Sequence, residues 1–221
     1  MKRDIYPKLL QWKSSSRRKP LLLQGARQTG KTFILKEFGR NEYRNTIYCN
    51  FEENSGLDQL FQNDLNPDRI LADLATYMNL EIRPESDLVL FDEIQISNRA
   101  LNSLKYFAEQ QADVHMVAAG SLLGLKMSGP GSFPVGKVNF LHLYPMTFLE
   151  FLTAMKESRY RKLLENADPS VPLTEAFHIH LIDLLRHYFF VGGMPEAVKH
   201  FAVKANGREI RAIQQEIIKS Y

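Results

Sequence analysis

Two hydrophobic periods alternate along the first two thirds of the chain. Short apolar runs at 21–23, 46–51, 87–91, 114–119 and 138–143 have strand length. Their consecutive apolar residues predict strands covered on both faces. Between them lie segments whose apolar residues recur every three or four positions. Ile5, Leu9 and Trp12 share one side of a short helix. A second helix opens at Lys31, carries Phe33, Ile34, Leu35 and Phe38, and is expected to stop at Gly39. Asn66 caps a third, with Pro67 and Asp68 in its first turn and a stripe of Ile70, Leu71, Leu74, Tyr77 and Met78. A fourth starts near Asn98, with Leu101, Leu104 and Phe107 inward. Strands alternating with helices imply crossover units and a parallel sheet.

From Tyr144 the pattern turns helical. Thr147 and Glu150 form a capping box, with Met146 and Phe151 placed as its hydrophobic staple. A long helix is expected over 173–191, with Phe177, Leu181, Leu184, Leu185 and Tyr188 at helical spacing. Two more helices follow Gly192-Gly193-Met194-Pro195. In the last one Ile210, Ile213, Ile217 and Tyr221 form a stripe that runs to the final residue. Such a stripe must bury itself, either on its own domain or on a continuation of the chain. The polar stretch 13–19 reads as a hinge, and 120–136, with its Gly-Pro-Gly, as a mobile loop. The expected division is a core over 1–150 and a helical region over 151–221.

Composition changes this picture little. The 221 residues are 44% hydrophobic and 24% charged, with net charge +3. That is a soluble globular balance, too mildly basic to indicate nucleic acid by itself. One cysteine, Cys49, excludes an intramolecular disulfide and reads as a small buried hydrophobe. No apolar run approaches the ~20 residues that span a bilayer, and no secretory signal is visible. A cytoplasmic protein without membrane contact is expected. His178 and His180 lie two apart on one helix and do not share a face, so they make no zinc site.

The chemistry concentrates at two places. Gly25-Ala26-Arg27-Gln28-Thr29-Gly30-Lys31-Thr32 has the G-x-x-x-x-G-K-T spacing of a phosphate-binding loop, or Walker A motif, between a strand and a helix. Loop amides and the helix N-terminus make a concave anion site there. Lys31 reaches the β- and γ-phosphates of ATP, Thr32 offers a hydroxyl to Mg²⁺, and Phe33 follows beside them. The strand 87–91 ends in Asp92 and Glu93, a Walker B pattern. Ligands collect at the carboxyl ends of parallel strands. Asp92 is then a candidate for the metal and Glu93 for the attacking water, which favours hydrolysis over transfer to another acceptor. Ser121, after the next strand, reads equally as a γ-phosphate sensor or a plain turn serine. Gln95 lies close behind the acids as a further candidate for polarising water. Arg27 fits salt-bridging better than catalysis.

Taken in order, Gly25–Thr32, Asp92-Glu-Ile-Gln95, Ala119-Gly-Ser121, Tyr144-Pro-Met-Thr-Phe-Leu-Glu-Phe151 and Gly192-Gly-Met-Pro-Glu196 resemble the prokaryotic AAA-type ATPases related to the STAND NTPases. The resemblance spans nearly the whole chain. It implies a P-loop NTPase fold, three layers α/β/α around a parallel five-stranded sheet, followed by a small helical lid. It implies that Gly193 to Pro195 lie near the adenine, and that a C-terminal restriction-endonuclease-like domain follows in the longer protein. Helix stop-and-start chemistry explains the same glycines and proline equally well. One departure stands out: Gly136-Lys137 replaces the family's Gly-Arg, and Lys lacks the planar fork of an arginine finger. The expected function is Mg²⁺-dependent ATP hydrolysis driving a conformational switch. A rival is a nucleotide-binding regulatory or DNA-associated adaptor with negligible hydrolysis, and another is a phosphotransferase. The partner, protein or nucleic acid, and the oligomeric state are not written in the sequence.

Overall fold

The structure is a computed structural model and describes residues 2–121, 136–204 and 206–219. Residues 122–135, which make up most of the expected loop, and Tyr221 of the last stripe lie outside the described residues. The described residues form two compact units. The first takes Ile5–Ala26 and Gly30–Leu143. The second takes residues 2–4, Arg27–Thr29 and the chain from Tyr144 onward.

The first unit is built on β1 (Leu21–Gly25), β2 (Asn45–Asn50), β3 (Asp87–Asp92), β4 (His115–Ser121) and β5 (Asn139–His142). All pairings are parallel, in the order β2-β3-β4-β1-β5. Successive side chains on a strand point to opposite faces, and the burial follows that rule. Leu22, Val89, Phe91, Met116 and Ala118 pack on one face, against Ile70, Leu74, Leu101, Leu104 and Phe107. Those partners come from α4 (Pro67–Tyr77) and α5 (Asn98–Gln110); a one-turn α3 (Gly56–Gln59) adds Leu57. Leu21, Leu23, Leu88, Leu90, Val117 and Ala119 pack on the other face. Their partners are Leu9 and Trp12 of α1 (Tyr6–Lys13) and Ile34, Leu35 and Phe38 of α2 (Lys31–Glu42). The result is the expected three-layer α/β/α arrangement. Each fully buried Leu, Ile, Val, Phe or Met side chain here contributes roughly 1.5–3 kcal/mol, and each Ala less. Asn66 caps α4 as its sequence signal predicts, accepting from the Asp68 and Arg69 amides.

One helix end differs from expectation. α2 runs through Gly39 to Glu42. A Cβ at Gly39 would stand 2.2 Å from Thr46 Oγ1 and 3.1 Å from Thr46 Cβ. The glycine therefore marks the close approach of α2 to β2, not the end of the helix.

The second unit is helical from α6 (Phe148–Ala154) through α7 (Ser158–Glu165), α8 (Glu175–Val191), α9 (Pro195–Lys204) and α10 (Gly207–Lys219). The Thr147–Glu150 capping box forms in both directions, and Met146 and Phe151 are both buried beside it. Their cluster includes Val191, Ala197 and Val198. In α8 only Leu181 and Val191 are buried, while Phe177 is exposed, so the predicted stripe is only partly inward. In α10, Ile210 and Ile217 are buried within the described residues. No helix among the described residues is long and apolar enough to cross a membrane.

Candidate functional site

β1 ends at Gly25 and α2 starts at Lys31, so residues 26–30 connect a buried strand to a helix in five steps. The turn passes through left-handed backbone at Gln28 (φ +60°) and at Gly30 (φ +91°), which is the N-cap of α2. Glycine adopts that conformation without strain; Gln28 does not, and a non-glycine residue held there needs tertiary support. Lys31 is buried, and its ammonium donates to the carbonyls of Gly25 (3.0 Å) and Ala26 (2.8 Å). Its charge therefore folds over the loop's own carbonyls. Thr32 is half-buried at the first turn, Arg27 and Gln28 are exposed, and Thr29 is fully buried. Phe33 is 57% exposed, in contrast to Ile34 and Leu35 behind it.

Asp92 closes β3, and only β4 separates that strand from β1. At ordinary strand spacing this sets the ends of β1 and β3 roughly 10 Å apart along the same edge of the sheet. The register places Phe91 and Leu22 level, both paired to Ala118. The two predicted halves of the site thus leave neighbouring strand ends. Asp92 is 1% exposed. One of its oxygens accepts from the Tyr48 hydroxyl at 2.9 Å and the other from the Glu93 amide at 3.1 Å. Asn50 donates to Tyr48 Oη at 3.2 Å, and Lys36 Nζ lies 3.5 Å from the centre of the Tyr48 ring. Burial, with the Asp92 charge beside it, pushes the Tyr48 phenol well above its ordinary pKa, so it stays a donor.

Glu93 sits in left-handed backbone at φ +51°. Its carboxylate accepts from Gln95 Nε2, and Gln95 Oε1 accepts from the Ser121 amide at 3.2 Å. The single amide of Gln95 therefore links the end of β3 to the end of β4. Lys137 pairs with Glu109 at 2.8 Å, which holds the Glu109 carboxyl below its usual range. Pro195 opens α9 in the second unit. There a Cβ on Gly193 would meet Met146 O at 2.4 Å, and the Met146 amide donates to Gly193 O at 2.6 Å. The Gly-Gly-Met-Pro segment thus has a packing role of its own.

Asp92 and the Thr32 hydroxyl are hard oxygen donors of the kind Mg²⁺ takes. Both hydrogen bonds to Asp92 come from neutral groups, and no salt bridge to it occurs among the described residues. A buried carboxylate so placed fits a divalent cation in charge and in donor chemistry. Two residues beside Asp92 are missing from the sequence reading: Tyr48 and Asn50 are polar positions at the carboxyl end of a parallel strand, a signal available in the sequence.

A family model described as an AAA domain matches residues 17–152. No curated protein matches. Among solved structures, the chain is similar to Drosophila ORC bound to DNA, with 17% identity and TM-score 0.49 over 96% of this chain and 66% of that one. It is similar to the Aeropyrum pernix ORC1 protein in complex with DNA, with 15% identity and TM-score 0.48 over 94% and 63%. It is also similar to C. elegans PCH-2, with 14% identity and TM-score 0.44 over 96% and 64%. The chain spans just under two thirds of the length of these solved chains.

Proposed function

The chain belongs to the AAA-domain family, and from that premise we propose that it binds ATP with Mg²⁺ and hydrolyses it to drive a conformational switch. The observation that carries this reading is the shared sheet edge. The loop leaving β1 and the acids ending β3 flank the end of β4. In this reading the amides of residues 26–30 and the N-terminus of α2 receive the phosphates. Lys31 exchanges the carbonyls of Gly25 and Ala26 for phosphate oxygens, so nucleotide binding replaces one set of charge-assisted hydrogen bonds with another. Thr32 and Asp92 would hold Mg²⁺, which would supply positive charge against the phosphates. Glu93 takes a proton from the attacking water, and Gln95 fixes the direction of its carboxylate. Ser121 answers to the γ-phosphate through the same Gln95 bridge. Pro195 and Phe33 remain candidates for contact with the nucleotide, and the helical unit remains the candidate lid. A relation to STAND NTPases, a following C-terminal domain and a cytoplasmic setting belong to the same proposal.

A second reading, a nucleotide-binding regulatory module with negligible hydrolysis, has one observation in its favour. Glu93 and Lys31 both spend their hydrogen bonds on the protein itself. Steady-state phosphate release with ATP and Mg²⁺, measured on the protein and on Glu93→Gln, separates the two. An active enzyme releases phosphate without an added acceptor, and Glu93→Gln retains ATP while losing turnover. Equal, negligible release from both proteins, with ATP still bound, overturns hydrolysis and leaves the module. Lys31→Ala is expected to remove binding in either case.

A further inference from the structure

The second unit contains a buried ion pair, Arg3 with Glu150, that no part of the proposed mechanism uses. Arg3 has a side chain 7% exposed and faces Glu150, 5% exposed, at 2.9 Å. The guanidinium spends its three nitrogens on three separate acceptors. Nε donates to Glu150 Oε1 at 2.9 Å, Nη2 to the Tyr144 carbonyl at 2.6 Å, and Nη1 to the Thr29 carbonyl at 2.9 Å. Glu150 is satisfied in turn. Its Oε1 also accepts from the Asp4 amide at 2.7 Å, and its Oε2 from the Thr147 amide at 3.0 Å, which closes the capping box.

Thr29 is the residue between the two left-handed turns of the phosphate loop, at Gln28 and Gly30. A loop that presents amides to an anion must turn its carbonyls away from it. Thr29 is fully buried, so its carbonyl needs a donor. Arg3 supplies one from 26 residues away in sequence. We propose that Arg3 is a positioning residue for the phosphate loop: by gripping the Thr29 carbonyl it holds the loop's amides in the anion-facing arrangement before nucleotide arrives. This rests on the ATP-binding reading above.

The geometry explains why the residue is an arginine. A planar fork reaches three acceptors in fixed directions, whereas an ammonium is a point donor. Burying a cation is costly, and an ion pair with Glu150 alone would not require the other two contacts. Arg3→Lys therefore keeps the charge opposite Glu150 and gives up the loop. A control for general loosening lies close by. Arg161 holds Asp4 through a 2.8 Å ion pair and Glu165 through another of 2.8 Å, without touching residues 27–29 in any hydrogen bond or ion pair shown by the structure.

The test compares the full chain with Arg3→Lys, Arg3→Met and Arg161→Met. Calorimetric titration with ATP and Mg²⁺ gives Kd, and amide hydrogen exchange over residues 26–31 is read without nucleotide. Both Arg3 variants are expected to raise Kd at least fivefold and to speed exchange in the loop. Arg161→Met is expected to lower the melting temperature while leaving Kd and loop exchange within twofold of wild type. Arg3→Lys serves alone if Arg3→Met does not fold. Unchanged Kd in a folded Arg3→Lys protein overturns the inference, as does an equal rise in Arg161→Met. If the wild-type protein binds no ATP, the functional reading falls separately. Loop exchange in Arg3→Lys then decides whether Arg3 orders the loop, and unchanged exchange overturns that too.

Discussion

Single side chains set the electrostatics of the acid pair. Asp92 is buried, and among the described residues its carboxylate has two donors, both neutral, of which the Tyr48 hydroxyl is one. Tyr48→Phe removes that donor while the ring stays beneath Lys36, so the packing survives and the carboxylate loses half its hydrogen bonds. The expected cost is about 1–3 kcal/mol, because a buried acceptor is left under-satisfied. Urea unfolding of the variant measures it, and a loss below about 0.5 kcal/mol would mean Asp92 finds another donor. Gln95 is a different case, since it touches Glu93 and the Ser121 amide. On the proposed hydrolysis, Gln95→Ala is expected to slow phosphate release about tenfold or more by misdirecting Glu93, with ATP affinity within twofold of wild type. An affinity loss matching the rate loss would place Gln95 in binding instead. The sequence marks Asp92, Glu93 and residues 25–32 as candidates because the chemistry proposed for them depends on local spacing. It does not mark the partners. Tyr48 reaches Asp92 across 44 positions and Arg3 reaches Glu150 across 147, distances that only the folded sheet and helices bring together.

Elements were legible where one period dominated. The strands, read at 46–51, 87–91, 114–119 and 138–143, lie within one or two residues of β2 to β5, because continuous apolar runs have few other uses in a soluble chain. Caps were legible too: Asn66 and Thr147 both make the side-chain hydrogen bonds that their residue types suggest. Gly39 misled because a glycine near a helix end has two explanations, and only tertiary packing chooses between them. The distinction is measurable. Placing Ala in a helix interior ordinarily stabilises by about 0.8–1 kcal/mol over Gly. At position 39 the new methyl meets the whole Thr46 side chain, so Gly39→Ala is expected to destabilise by about 1–3 kcal/mol. Thr46→Ala should relieve most of that loss. The coupling in the double-mutant cycle is then about 1 kcal/mol or more, and additive effects would show that α2 and β2 are not in close contact there. The helix expected over 173–191 forms as α8, but its stripe is covered only in part. Period predicts which residues share a face, not how much of that face is covered, and Phe177 on the stripe remains exposed.

For the molecule as a whole, the first unit carries a titratable group at the amino-terminal end of the sheet, opposite the strand ends at Gly25 and Asp92. His115 opens β4, the strand that ends at Ser121. It is 6% exposed, its Nδ1 lies 2.6 Å from the Tyr43 hydroxyl, and Trp12 packs edge-on against its ring. Burial first, and then the nearby Arg18 and Lys13 charges, lower its pKa to about 4. An unfolded chain would bind that proton near pH 6.5. Between these values the unfolded state holds a proton that the folded state refuses, so stability rises with pH. The neutral imidazole costs nothing above about pH 6.5, and stability falls as pH drops from there toward 4. Below that both states are protonated and the term stops changing. The full loss is about 2 kcal/mol in order of magnitude, allowing for partial solvent screening. Carboxylates titrate in the same window, so the informative quantity is the difference between wild type and His115→Asn, which does not titrate. Chemical-denaturation midpoints measured from pH 8 to pH 4 should converge for the two proteins as pH falls, because only wild type pays for its buried imidazole. Parallel curves across that range would show that position 115 is open to water in the folded protein.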